Sequence, residues 1–313
     1  GLLPFSNIGY SYSNTKALNS TDGSTSVVKA TNTYSGTGGL HQVYLGLGWS
    51  PFKGFAIGVN AAYLWGDYSR SVINSYTDAY ANTLSKYYTA EVHNYKLDFG
   101  MQYTQKITKN DAITLGVTYG LGHKLSSDPK CQIISTNAQT AVADTATYSI
   151  GNGLELPHSY GVGLMWNHAN RWRVGADYTL QKWSSVAYPK FDTSTNSYEL
   201  VSGQFADRHK MTVGGEFCPD ERSRSFFKRV HYRMGASYAT DYLKIKGQNG
   251  PKEYSVSAGF GIPIVNGYNN RSLLNISAQW VRQDSKTFVT ENSFRINIGL
   301  TFNERWFAKW KME

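Results

Sequence analysis

Three observations predict an all-β fold, a transmembrane antiparallel up-and-down barrel. Apolar and polar residues alternate with period two along much of the chain, apolar stripes end in aromatics, and short turns alternate with long polar loops. The chain of 313 residues has a mean hydropathy of −0.42, and no apolar run approaches the 18 or so residues of a membrane helix. That excludes a helical membrane protein but not a barrel, because alternating strands average to a polar composition. The 23 Tyr, 14 Phe and 8 Trp against only 8 Pro suit strands and their polar connections.

The alternation is clearest in four runs. Tyr95, Leu97, Phe99, Met101 and Tyr103 interleave with Lys96, Asp98, Gly100 and Gln102. Ile113, Leu115, Val117, Tyr119 and Leu121 interleave with Thr114, Gly116, Thr118 and Gly120. The same holds for Trp172 to Gln181 and for Phe294 to Phe302. Read this way, the chain gives about twelve strands, at 2–13, 41–50, 54–67, 90–107, 111–125, 147–167, 171–184, 207–217, 229–246, 252–263, 272–284 and 291–303. No amphipathic helix interrupts them. Residues 1–313 therefore form one barrel domain, with a short aromatic and basic tail at 304–313 whose Trp306, Phe307 and Trp310 suit a membrane interface.

The connections set the expected orientation. Ser50-Pro51-Phe52-Lys53-Gly54, Thr108-Lys109-Asn110 and His168-Ala169-Asn170 are short, whereas 14–40, 68–89, 126–146 and 185–206 read as long loops rich in Ser, Thr, Asn and Tyr. In outer-membrane barrels short turns are periplasmic and long loops extracellular. A soluble β-sandwich fits less well. Its strands are usually shorter, and its apolar stripe has no reason to end in Phe55 on one side and Tyr63 and Trp65 on the other.

The net charge of +9 is dispersed, apart from clusters at Arg222, Arg224, Lys228 and Arg229 and at the C-terminus. A nucleic-acid partner, which asks for a concentrated basic surface, is not expected. The expected surroundings are outer-membrane lipid and lipopolysaccharide. Gly214-Gly215-Glu216-Phe217 matches a cyclic-dinucleotide synthesis motif but lies at a strand end, and Gly36-Thr37-Gly38-Gly39 lacks the following Lys and helix of a phosphate loop. The seven His residues show no zinc spacing, and no nucleophile elbow is present. No catalytic residue, metal or cofactor is assigned, and an outer-membrane enzyme remains a minor alternative.

The candidate functional residues are the charges on the polar face of the strands: Lys96, Asp98, Arg173, Asp177, Lys210, Glu216, His231, Arg233 and Arg295. With the apolar face toward lipid they must face the lumen, where they either brace the wall or line a permeation path for a ligand. Cys131 and Cys218 fall at opposite ends of the barrel. The apolar band between the ends is about 25 Å tall, and a disulfide needs Cα atoms within about 7 Å, so the two are expected not to pair.

Three stretches, GLLPFSNIGYSYS at the start, GTGGLHQVYLGLGWSPFKGFAIGVNAAYLWGD at 36–67 and GLTFNERWFAKWKME at the end, resemble FadL/TodX-type outer-membrane transport barrels in the version common among Bacteroidota. The resemblance implies about 14 strands, an N-terminal hatch and passage of a hydrophobic or amphipathic small-molecule cargo. It also implies that the hatch and first strands lie upstream of Gly1. The alternative is a non-transporting barrel that joins outer-membrane protein partners in a secretion or barrel-assembly complex.

Overall fold

The computed structural model describes residues 2–18, 27–245, 247–265, 271–284 and 290–301. Twelve strands form its wall: β1 (Leu2–Leu18), β2 (Val28–Phe52), β3 (Phe55–Tyr76), β4 (Thr83–Lys106), β5 (Asp111–Gly120), β10 (Ser159–His168), β11 (Trp172–Gln181), β14 (Arg208–Phe217), β15 (His231–Ala239), β18 (Lys252–Val265), β19 (Arg271–Asp284) and β20 (Glu291–Thr301). Each pairs antiparallel with the one before it, in that order. Between them lie the short strands β6 (His123–Leu125), β7 (Lys130–Thr136), β8 (Ala143–Ser149), β9 (Leu154–Leu156), β12 (Tyr188–Asp192), β13 (Ser197–Val201), β16 (Lys244–Ile245) and β17 (Gln248–Asn249). A 3-10 turn (Trp183–Ser185) and one helical turn (Phe226–Arg229) complete the elements. The tail at 304–313 lies outside the described residues, as does Phe302.

Strand length shows where the bilayer sits. A tilted strand needs about 9–11 residues to cross it. β5, β10, β11 and β14 have 10 residues each and β15 has 9, so they cross and stop. β2, β3 and β4 have 25, 22 and 24. Their surplus of about 12 residues is roughly 40 Å of extra strand at about 3.3 Å per residue. The wall therefore rises well beyond the membrane on one side. β7 pairs with the upper part of β4 and β8 with β7, which extends this raised wall and brings the sheet to 14 strands.

The twelve expected strands are present, with corrections to several bounds. The strand read at 229–246 is β15 alone, with Lys244–Ile245 apart in β16, and the loops read at 126–146 and 185–206 carry β7, β8, β12 and β13. The loops read at 14–40 and 68–89 are largely strand: β2 begins at Val28 and β3 runs to Tyr76. Their Ser, Thr and Tyr residues pair across the sheet, through Ser13 with Thr33, Thr15 with Thr31 and Ser35 with Ser71 at 3.0, 3.0 and 2.6 Å. Such side chains are as compatible with a solvated strand as with a loop. The run at 147–167 divides instead among β8, β9 and β10, because Gly151-Asn152-Gly153 and Pro157 break the ladder.

The wall is one layer thick. Its accessible surface is 21265 Å², whereas a compact chain of 34.9 kDa would expose about 13,000 Å². Outward positions are large and apolar: Leu45, Met234 and Ile298 are 71%, 73% and 72% exposed. Aromatics bound this band at both ends, with Tyr95 and Tyr103 on β4 and Tyr254 and Phe260 on β18, as lipid interfaces favour. At the short-turn end, Ala169 and Asn170 adopt φ of 52° and 57°, the left-handed conformation that lets a tight hairpin turn match strand twist. The outer edges of β1 and β20 have no ladder between them among the described residues. In lipid such edges require backbone partners.

The alternation makes a direct prediction. Val213 faces outward at mid-band, and its neighbour Thr212 faces inward opposite Asp177 and Ser237. Val213→Lys should cost about 2–4 kcal/mol, and Thr212→Lys well under half of that. Urea titration of folding into lipid vesicles measures both, and equal costs would contradict the assigned faces.

Candidate functional site: the lumen and its long-loop mouth

The inner face is lined by small and polar residues, and the charges among them gather near the short-turn end. Ladder register sets Arg173 on β11 beside Glu216 on β14, and Glu216 beside Arg233 on β15. Arg173 donates from Nη1 to Glu216 Oε1 at 2.9 Å, and Arg233 from Nε to Oε2 at 2.6 Å. His231, at the start of β15, places Nδ1 3.1 Å from Glu216 Oε1. Arg233 also donates from Nη1 to Asn275 Oδ1 on β19 at 2.6 Å, and Asn275 Nδ2 donates to Thr301 Oγ1 on β20 at 3.3 Å. Gly261 allows this reach, because a Cβ there would lie 3.2 Å from both Arg233 Nη2 and His231 Cβ. The result is a polar chain across five wall strands.

The other expected charges lie apart from this chain. Lys96 and Asp98, two residues apart on the inner face of β4, pair with each other. Asp177 lies opposite Gly163 and Thr212, Lys210 opposite Thr179 and Ala239, and Arg295 opposite Gln279. All nine therefore share the inner face, and four of them form one cluster: Arg173, Glu216, His231 and Arg233.

The long-loop mouth holds a second group, which the sequence did not reveal. One inner-face row runs through Tyr10, Gly36, Arg70, Tyr88, Cys131 and Tyr148 on β1, β2, β3, β4, β7 and β8. Against it packs the β12–β13 hairpin, which leaves the wall between β11 and β14. Tyr188 on this hairpin hydrogen-bonds Tyr68 on β3. Phe191 meets the Tyr148 ring at 5.2 Å and receives Lys86 Nζ at 5.3 Å. The guanidinium of Arg70 lies over Tyr88 at 4.9 Å, a cation–π contact. Phe191, Val186 and Phe205 are buried. β11 and β3 are four strands apart along the wall, roughly 19 Å at about 4.8 Å per strand. The hairpin therefore crosses the mouth of the lumen.

Its base is clamped on the near side. Trp183 stacks on Tyr242 at 5.0 Å and meets Phe205 at 5.7 Å, which ties the hairpin to the loop after β15. Asp207 accepts from Lys182 Nζ at 2.5 Å and from the Ser184 amide at 3.0 Å. Burial pushes the Asp207 carboxyl up, but these donors outweigh it and hold the group down at about 2. Within the hairpin, burial and the neighbouring Tyr188 raise the Tyr198 phenol. The Tyr198 phenol therefore stays neutral at ordinary pH.

Cys131 lies in the capped mouth and Cys218 just beyond the short-turn end of β14. Both are buried free thiols, and burial raises each above the ordinary thiol range.

Two outcomes test this geometry. Glu216→Gln removes the shared acceptor of two Arg side chains. Because those guanidiniums are more than a third exposed, the expected loss is about 1–2 kcal/mol rather than the larger cost of a fully buried pair. Urea unfolding monitored by Trp fluorescence reads it, and an unchanged midpoint would show that the network bears no load. The Asp207 clamp has a depressed folded-state pKa, so its contribution is complete above the ordinary Asp value and disappears as pH falls through about 2. Limited proteolysis of the 185–206 segment should stay slow at pH 5 and speed up in Asp207→Ala at the same pH. Equal rates would remove the clamp from the account.

Comparison with known proteins places this geometry. The chain is similar in structure to CymD, a monoaromatic hydrocarbon channel (TM-score 0.55, 12% identity, covering 89% of this chain and 82% of that one). It is similar also to the Ralstonia pickettii toluene transporter TbuX (0.55, 12%, 95% and 87%) and to the P. putida toluene transporter TodX (0.54, 12%, 96% and 83%). At such identities the likeness is one of fold, the antiparallel β-barrel of these channels. No curated protein sequence matches the chain significantly. The sequence model of one family, BamG, matches residues 1–313. With its whole length matched, this barrel belongs to the BamG family.

Proposed function

We propose that this chain is a non-transporting barrel that serves as a subunit of a larger outer-membrane complex, for secretion or barrel assembly, a reading toward which its membership of the BamG family leans. The observation that carries this reading is the β12–β13 hairpin packed across the mouth through Tyr188, Phe191 and Phe205. A channel for hydrophobic cargo needs an apolar receiving surface and a way through. Here the protein's own hairpin lies across the mouth, and the strand charges below it lie among Gly, Ser and Thr on the inner face. In this reading Lys96 with Asp98, and Arg173, Glu216, His231 and Arg233, brace the wall rather than bind a ligand. Asp177, Lys210 and Arg295 contribute to the same polar lining. The raised wall of β1–β4, β7 and β8 stands on the extracellular side and offers partners a stiff, solvated surface.

A second reading is passage of a hydrophobic or amphipathic small molecule. The fold likeness to CymD, TbuX and TodX favours it, and in that case the hairpin is the element that must move.

Affinity purification of the tagged protein from native outer membranes should yield stable partner proteins at near-stoichiometric ratio. Liposomes bearing the purified barrel should take up a monoaromatic hydrocarbon or a fatty acid no faster than empty ones. Uptake without partners would overturn the subunit reading. The orientation is tested separately: cysteine introduced at Ser75 or Ser194 should react in intact cells, and at Asn110 only after permeabilisation.

A further inference from the structure

The connection from β14 to β15, residues 218–230, is much longer than the two- to four-residue turns that join β2 to β3, β4 to β5 and β10 to β11 at the same end of the barrel. It brings together three potential metal-ligating side chains. Donor atoms of Cys218, Glu221 and His231 all lie within 4.8 Å of one another. They come from the end of one strand, the turn itself and the start of the next strand. Cys218 is 1% exposed and His231 8% exposed, so two of the three are fixed by packing, while Glu221 lies at the surface of the turn.

We propose that this connection is a transition-metal site of the zinc type, with the Cys218 thiolate, the His231 imidazole and the Glu221 carboxylate as ligands and a fourth position open to water. Sulfur, nitrogen and oxygen donors together are the set that suits Zn²⁺. Bonds of about 2.0–2.3 Å place tetrahedral donors about 3.3–3.8 Å apart. The observed spread thus requires a contraction of at most about 1.5 Å. On binding, the thiol proton leaves to solvent and the sulfur takes the metal.

A second feature points the same way. His231 Nδ1 is 3.1 Å from Glu216 Oε1, and Glu216 is itself held by Arg173 and Arg233. A carboxylate on one ring nitrogen fixes the ring and its tautomer, leaving the lone pair on Nε2. That is the outer-sphere arrangement which metal-binding His residues adopt. The Cys218 thiol donates weakly to the Lys228 and Arg229 carbonyls at 3.8 Å each, and the Asp220 amide faces its sulfur, so ligation gives up two weak S–H contacts while an N–H donor stays on the thiolate. Spacing hid the site from the sequence. The Cys-x-x-Glu pair and a His ten residues further on match no common zinc pattern, and their closure depends on hairpin register.

Co²⁺ titration of the purified, detergent-solubilised barrel tests the assignment. One equivalent should give thiolate-to-cobalt charge-transfer absorption and the intense visible bands of tetrahedral cobalt, and Zn²⁺ should abolish both. Cys218→Ser should eliminate the charge-transfer band, and Cys131→Ser should leave it intact. Glu221→Gln, a surface change that does not threaten folding, should weaken binding by about tenfold or more, and Glu216→Gln by about 10–100-fold. Absence of the band in the native protein, or an unchanged titration in Glu221→Gln, would overturn the site. Heat-modifiable electrophoretic mobility confirms that each variant is folded.

Discussion

In the interior of a bilayer no water is at hand for a backbone N–H or C=O, so every one of them must find a partner in the protein. The twelve-strand ladder answers that constraint, and most other features depend on it. Fixing the ladder fixes register, and register fixes which side chains share a face. A slip of one residue would turn Leu45, Met234 and Ile298 inward and drive Arg173, Glu216 and Arg233 into lipid. The polar chain from Arg173 to Thr301 therefore both depends on the register and helps to hold it.

The same ladder serves two solvents. Within the membrane the inner face is small and polar and the outer face apolar. Above it, on β2, β3 and β4, the inner face carries Tyr34, Tyr68 and Tyr88 and packs on a hairpin, while the opposite face carries Ser and Thr. Strand parity is unchanged between the two zones. What changes is which side needs to be dry. The buried side moves from the outside of the wall to its inside as the strands leave the lipid, and Leu64 and Val92, both fully buried, mark where the packed interior begins.

This division explains what could be read from the sequence. Period-two alternation revealed the strands and placed all nine strand charges on one face, because parity is a local property. Lys96 and Asp98, two positions apart, could be paired on the same basis. The raised parts of β2 and β3 read as loops, since Ser, Thr and Tyr residues carry no apolar stripe once both faces leave the bilayer. Tyr188 on Tyr68 and Phe191 on Tyr148 join residues more than 40 positions apart through a loop, and no local pattern encodes them. The Arg173, Glu216 and Arg233 cluster is intermediate: the residue types are visible, but their meeting depends on hairpin register. The FadL/TodX resemblance holds at the level of fold, whereas the family that the chain belongs to, BamG, is one that the sequence reading did not name.

A hollow wall need not be an open one. We propose that this barrel is stoppered at its long-loop mouth by the β12–β13 hairpin, anchored on one side by Trp183, Phe205 and Asp207 and on the other by Tyr68 and Tyr148. Conductance in planar lipid bilayers tests this most directly, using protein purified from native membranes and a variant in which residues 187–202 are replaced by a short Gly-Ser linker. The account predicts that the intact protein is electrically silent and that the variant opens steady, ohmic channels. Steady conductance from the intact protein, equal to that of the variant, would contradict it.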